Sequence, residues 1–319
     1  MKVIDRLIQA EREKKTLFSF ELLPPVRGKS IQSLFDAIDP LMEFNPAFVD
    51  VTYHREEYVY KELPNGLFEK SVQRHRPGTV AVCAAIMHKY NVDTVPHIIC
   101  GGFSKEETEN ILIELNFLGI ENILALRGDA AKGEASFTPH PKGYKYASDL
   151  VEHVDQLNKG EFMYSSESGF KGGFCMGVAG YPEKHMDAGN LDTDIKYLKQ
   201  KVDLGAEYIV TQMFFDNQKY FDFVKRCREA GITVPIIPGL KPLTTKRQLT
   251  LLPNIFKLDF PQELLKEAEK CKDNKAIKQL GIEFGIQQAK ELMEFGVPSM
   301  HFYSMGRSTS VKDIAEAIF

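Results

Sequence analysis

Cysteines are few in this chain, and nothing pairs them. Cys83, Cys100, Cys175, Cys227 and Cys271 are odd in number, scattered, and form no C-x-x-C unit. Reduced thiols are therefore expected rather than a disulfide framework. The eight histidines show neither H-x-H nor H-E-x-x-H spacing, so no metal site is expected. The N-terminus, Met1-Lys2-Val3-Ile4-Asp5-Arg6, brings in charge at once, and no apolar h-region follows, so no signal peptide is expected. No apolar run approaches the length needed to span a bilayer. An excess of charge of one sign is also lacking. A formal charge of −4 over 319 residues gives no bulk attraction for nucleic acid or an anionic membrane. There is no low-complexity tract and no linker. These absences lead us to expect a cytoplasmic protein in which residues 1–319 form a single domain.

Hydrophobic residues make up 43% of the chain and charged residues 26%, enough apolar material for a large core. Short runs rich in β-branched and aromatic residues recur along it: Thr16–Leu23, Ala47–Thr52, Val95–Cys100, Asn122–Leu126, Cys175–Ala179, Tyr208–Thr211, Pro235–Pro238 and Met300–Tyr303. They read as strands buried on both faces. Amphipathic stretches lie between them. Ser104–Leu118 opens with Ser104 and Glu107 at capping-box spacing and stops at Gly119. Asp194–Leu204 and Asn217–Ala230 each end before a glycine. Pro253–Gly296 is too long for a simple connection, and helices over Pro261–Lys270 and Lys275–Phe295 are predicted within it. Eight β-then-α units imply right-handed crossovers and a closed (β/α)8 TIM barrel.

The glycine-rich stretch Gly169–Gly177 invites comparison with a dinucleotide fingerprint. It precedes a strand instead of following one and lacks the G-x-G-x-x-G spacing, so a mobile loop is the better reading.

In such a barrel, chemistry collects at the C-terminal ends of the strands. Those ends carry Glu21, then Thr52-Tyr53, His97, Arg127-Gly128-Asp129, Gly180-Tyr181-Pro182-Glu183, Thr211-Gln212, Pro238-Gly239, and His301-Phe302-Tyr303 leading to Arg307. Each has a plain structural reading. Glu21, in an apolar run, is either a salt-bridged carboxylate or an acid with a raised pKa. Arg127-Gly128-Asp129 is either a phosphate- or flavin-contacting turn or a solvated one. His97 alone reads as a core histidine as readily as a ligand, and Gln212 as a backbone cap. Their shared location is what points to a polar active site.

Taken together and in order, the motifs resemble the methylenetetrahydrofolate reductase family. They are Ser19-Phe20-Glu21 with Pro24-Pro25, Val51-Thr52-Tyr53, Ala125-Leu126-Arg127-Gly128-Asp129, Tyr146-Ala147-Ser148-Asp149-Leu150, and Gly180-Tyr181-Pro182-Glu183 with His185. Lys201-Val202-Asp203 with Gly205-Ala206, Thr211-Gln212 with Phe214-Phe215-Asp216, Ile237-Pro238-Gly239, and His301-Phe302-Tyr303 with Arg307 complete the series. The resemblance implies a barrel holding FAD at the strand C-termini. NADH or NADPH and then 5,10-methylenetetrahydrofolate would be its substrates in a ping-pong reduction to 5-methyltetrahydrofolate, with no metal and in a homo-oligomer. It implies Glu21 as general acid and Asp129 as a carboxylate near flavin and pterin. Gln212, Gln248 and Arg307 fall at substrate-binding positions. Thr52, Tyr53, His97, Arg127, Gly128, Asp129, Tyr146, Ala147, His185, Asp194 and Lys201 fall at flavin-contact positions. Asp194 and Lys201, spaced i, i+7, are expected on one helix face near its start and middle.

The chain departs from the family pattern at His54-Arg55-Glu56-Glu57, at Tyr197 and Gln200, at Leu252, and in the long loop from Asn158 to Phe174. Other barrels of this general kind are proline-dehydrogenase-like flavin oxidases and flavin-free pterin methyltransferases. A visible flavin spectrum separates the second from the rest.

Overall fold

The computed structural model describes residues 1–130, 134, 136–165, 170, 173–304, 306 and 308–319. Arg307, Gly169 and Gly172 lie outside the described residues.

All eight predicted strands form, and they pair in parallel. In chain order they are β1 (Leu17–Leu22), β2 (Phe48–Val51), β5 (Thr94–Ile99), β6 (Asn122–Leu126), β7 (Cys175–Gly180), β8 (Tyr208–Thr211), a split seventh strand β9 (Ile236–Ile237) and β10 (Gly239–Leu240), and β11 (Ser299–Tyr303). β9 pairs with β8, while β10 pairs with β11. The seventh strand therefore runs past the predicted Pro238 and closes the ring there. Pro238 has no N–H to give a ladder, which breaks the strand in two. Its carbonyl still accepts from His301 N at 3.0 Å. Gly239 is required at the break, because a Cβ there would lie 2.1 Å from the Thr211 carbonyl oxygen.

Side chains alternate across each strand. One set fills the barrel: Phe48, Val95, Leu124, Cys175, Tyr208 and Ile237 pack in a single interior cluster with Val3 and Leu7. The opposite set, including Phe18, Phe20, Val49, Val51 and Val178, packs outward against the helices. Helix α1 (Val3–Glu13) closes the bottom of the barrel. Its buried residues Val3, Leu7 and Ala10 share one face. Val3 N donates to Asn122 Oδ1 at 2.7 Å, and Arg6 pairs with Asp93 at 2.6 Å.

The other helices are α2 (Ile31–Met42), α3 (Thr79–Tyr90), α4 (Lys105–Phe117), α5 (Ala147–Asn158), α6 (Leu191–Asp203), α7 (Asn217–Glu229), α8 (Gln248–Phe256), α9 (Gln262–Lys270), α10 (Asn274–Phe295) and α11 (Thr309–Ile318). The predicted capping box is present: Glu107 N donates to Ser104 Oγ at 3.2 Å and Ser104 N to Glu107 Oε2 at 2.8 Å. No described helix is long and apolar enough to cross a membrane.

Three features differ from the sequence reading. Helix α8 begins ahead of Pro253 and carries it inside, giving three helices where two were expected. Buried Leu252, packed with Met213 and Phe215, anchors it despite the missing N–H. Helix α6 starts at Leu191, so Lys201 sits in its last turn rather than its middle. An antiparallel hairpin, β3 (Glu57–Glu62) and β4 (Phe68–Gln73), follows β2, a stretch for which the sequence predicts no strand.

Candidate functional site

The register of β1 fixes the centre of the site. Glu21 lies opposite Tyr303 on one side and Asp50 on the other. Register partners in a parallel sheet face the same way, so all three point into the barrel mouth. Glu21 is buried, with its side chain 10% exposed. Burial pushes its carboxyl up to about 7. The His97 charge opposes that rise, Asp50 adds to it, and Lys241 opposes it. His97 Nε2 stands 3.7 Å from Glu21 Oε2 and 3.4 Å from Asp50 Oδ2. The backbone here is pinned: Ser304 Oγ donates to the Glu21 carbonyl at 2.7 Å, and Tyr303 Oη to the Thr211 carbonyl at 2.6 Å.

A second cluster lies on the β6–β7 side. Arg127 follows β6, pairs with Asp187 at 2.6 Å and stacks over Phe137, 5.0 Å from the ring centre. Its Nε is buried without a hydrogen-bond partner among the described residues. Gly128 has φ +84°, a backbone state that favours glycine. Asp129 is exposed. Tyr181 meets His185 edge to face at 4.7 Å. His185 N donates to Asp194 Oδ2 at 2.8 Å. Lys201, partly buried, donates from Nζ to the Ala179 carbonyl at 2.9 Å. Burial pulls its ammonium down to about 8, and the charge of Asp194 opposes that fall.

The two clusters share one rim. Burial raises the Tyr303 phenol well above its usual range, and Glu21, Asp50 and Tyr181 all add to that rise. The Tyr181 phenol is raised first by burial and then by Asp194 and Asp129, with Arg127 opposing. Thr52 and Tyr53 leave β2 at the same rim. The Thr52 hydroxyl meets His54 Nε2 at 3.2 Å, and the Tyr53 ring meets Phe103 edge to face at 5.0 Å. Tyr146, half exposed, caps α5, and Ala147 is the first residue of that helix.

The expected substrate residues are tied into backbone. Gln212 Oε1 accepts from Met213 N at 2.9 Å, the capping alternative seen in the sequence. Gln248 Oε1 accepts from Thr244 N at 2.7 Å and Thr245 N at 2.9 Å, which shapes the loop before α8. In both, the amide nitrogen takes no part in those bonds. Asp50 and Lys241 belong to none of the sequence motifs, and His301 lies in one that assigns it no role. A carboxylate at an inward position of an otherwise apolar strand was the available signal for Asp50.

The sequence matches the family described as methylenetetrahydrofolate reductase over residues 6–318. It is 31% identical to methylenetetrahydrofolate reductase (NADH) 1 of Zea mays, covering 97% of this chain and 49% of that one. It is 33% identical to methylenetetrahydrofolate reductase 1 of Schizosaccharomyces pombe, over 100% of this chain and 48% of the other. Against 5,10-methylenetetrahydrofolate reductase of Escherichia coli the identity is 30%, over 94% of this chain and 89% of that one. The chain thus spans about half the length of the plant and yeast relatives and most of the bacterial one. Among solved structures, an uncharacterized Clostridium thermocellum protein that binds two copies of 5-methyl-5,6,7,8-tetrahydrofolic acid superposes with a TM-score of 0.57. The identity is 15%, over 98% of this chain and 97% of that one, a likeness of fold alone.

Proposed function

This chain belongs to the methylenetetrahydrofolate reductase family, and from that premise we propose that it reduces 5,10-methylenetetrahydrofolate to 5-methyltetrahydrofolate. The reductant is NADH or NADPH and the resident cofactor FAD, in a ping-pong sequence with the nicotinamide first. The observation that carries this reading is Glu21. It is a buried carboxyl at the barrel mouth, held near pH 7 by its surroundings.

The residues present fit a flavin nucleotide. The unpartnered Arg127 Nε and the buried Lys201 ammonium, which has no carboxylate within ion-pair distance among the described residues, offer charge to a diphosphate. Arg127, Gly128, Tyr146, Ala147, His185, Asp194 and Lys201 would hold the nucleotide, with Thr52, Tyr53 and His97 toward the ring. When bound, FAD supplies hydride acceptance and donation.

The protein's own part is proton chemistry and placement. Opening the five-membered folate ring breaks a carbon–nitrogen bond, and the electron pair leaves with the amine nitrogen. Glu21 delivers the proton that this nitrogen needs. An ordinary glutamic acid is almost wholly ionised at neutral pH, whereas one near 7 keeps a transferable proton. Asp129 favours the cation left on the folate. Gln212, Gln248 and Arg307 would orient the substrate. The experiment is anaerobic stopped flow on purified protein, first with each nicotinamide and then with methylenetetrahydrofolate. The protein should be yellow and release FAD in acid. A colourless protein that FAD does not reconstitute overturns the proposal.

A further inference from the structure

Beside Glu21 the barrel holds charge that no motif accounts for. Asp50 sits inside the apolar run Phe48-Val49-Asp50-Val51 and is fully buried. A carboxylate there is costly unless a cation or donor meets it. Two imidazoles do. His97 Nε2 is 3.4 Å from Asp50 Oδ2 and 3.7 Å from Glu21 Oε2, so one nitrogen faces both carboxylates. His301 Nε2 is 3.8 Å from Asp50 Oδ2, and His301 Nδ1 is 3.0 Å from Ser19 Oγ. Asp50 Oδ1 and His301 Nε2 have no hydrogen-bond partner among the described residues. The two rings differ in charge preference. Burial pushes His301 toward the neutral form. Burial acts on His97 too, but the Asp50 hydrogen bond and the charges of Glu21 and Asp50 outweigh it and favour the cation.

We propose that Asp50 is a positioning residue: it holds His97 as a cation against Glu21 and so fixes the pH range over which Glu21 hands its proton to the folate. The inference rests on the reading of Glu21 as proton donor. Asp50→Asn keeps the shape and removes the charge. His97 then loses its charged hydrogen-bond partner, the strongest influence favouring its cation, and, being buried, gives up its proton. Glu21 in turn loses a cation at 3.7 Å and an anion that acts on it less strongly. The net change raises its pKa, so it keeps its proton to higher pH.

The other groups facing this cluster are common to both proteins. Lys241 and Tyr303 interact electrostatically with Glu21, His54 with His97, and Tyr208 and Cys83 with Asp50. Burial holds both phenols and the thiol in their neutral forms across the working range.

The test is the pH dependence of single-turnover folate reduction by the holoenzyme, measured beside its reduction by the nicotinamide. In Asp50→Asn the alkaline limb of the folate reaction should move up by about one pH unit, the scale of a lost charge at this distance. The nicotinamide profile should stay in place. His97→Asn should shift the limb the same way, and the double variant no further, since both act through one contact. A limb that stays put or moves down overturns the inference.

A second measurement is independent of rate and of variant folding. The ring nitrogen chemical shifts of His97 in the wild-type protein, followed against pH, should show an imidazole that keeps its second proton to higher pH than an ordinary histidine, and one that loses it at lower pH overturns the inference. Glu21→Gln separates the two ideas. If that variant still reduces folate, the reading of Glu21 falls. If it does not, while Asp50→Asn leaves the limb in place, only the role of Asp50 falls.

Discussion

Lys201 Nζ donates to the Ala179 carbonyl 2.9 Å away, and its carboxylate neighbour one face up the helix, Asp194, is occupied by His185 N instead. A buried ammonium held by one carbonyl destabilises the protein by itself and suits an anionic ligand. Its pKa is pulled from 10.5 to about 8. The folding penalty is therefore full below pH 8 and fades as pH rises toward 10.5. Lys201→Met should raise the Tm of flavin-free protein at pH 7, with an upper bound of about 3 kcal/mol, and weaken FAD binding at least tenfold. Calorimetry on the apoprotein and a flavin titration check both halves.

Glu21 carries the mirror-image penalty. Its carboxyl rises from 4.5 to about 7. Stability is unaffected by this below pH 4.5 and is progressively lost as pH climbs through 7. Glu21→Gln should thus be more stable than wild type at pH 8, by up to about 3 kcal/mol, and nearly equal to it at pH 4.5. Denaturant unfolding at the two pH values tests this, and a stability gain confined to acid pH would contradict it.

Gly177 and Tyr208 are register partners inside the barrel. A Cβ on Gly177 would lie 2.4 Å from the Tyr208 ring, which is fully buried and has no room to retreat. Gly177→Ala should cost about 1–3 kcal/mol, the usual range for overpacking, and Gly177→Ala with Tyr208→Phe should not restore it, since the ring itself is in the way. Chemical denaturation of the two variants reads the outcome.

Much of this was legible beforehand because the signals were local. The strands carry β-branched runs, and Ser104 with Glu107 spells out its own cap. The β3–β4 hairpin was missed because its strands are polar and β4 is almost wholly exposed, so neither carries the buried apolar run of the barrel strands. Pro64-Asn65-Gly66 was its turn signal. The split at Pro238 and the helix through Pro253 are tertiary outcomes, decided by β11 and by the packing of Leu252. The sequence places the motif residues on one rim but does not say which of them are neighbours. Only the pairing register sets Asp50 and Tyr303 on either side of Glu21.

Asp129 is exposed at the rim and lies close enough to Tyr181 to raise its phenol. If its charge favours a folate cation, Asp129→Asn should slow folate reduction about tenfold or more, a loss of roughly 1.4 kcal/mol or above. The flavin midpoint potential should rise, because a negative neighbour disfavours added electrons. Spectroelectrochemistry and stopped flow give the two numbers, and if neither changes, Asp129 has no part in the chemistry.

The most direct test of the account is Glu21→Gln, followed through each half-reaction separately. The substitution keeps the size of the side chain and removes its transferable proton. Hydride transfer from the nicotinamide needs no such proton, so its rate should stay within a few-fold of wild type. Folate reduction should fall by on the order of 10² to 10⁴, the usual contribution of a general acid. A variant that reduces methylenetetrahydrofolate at close to the wild-type rate would contradict the account.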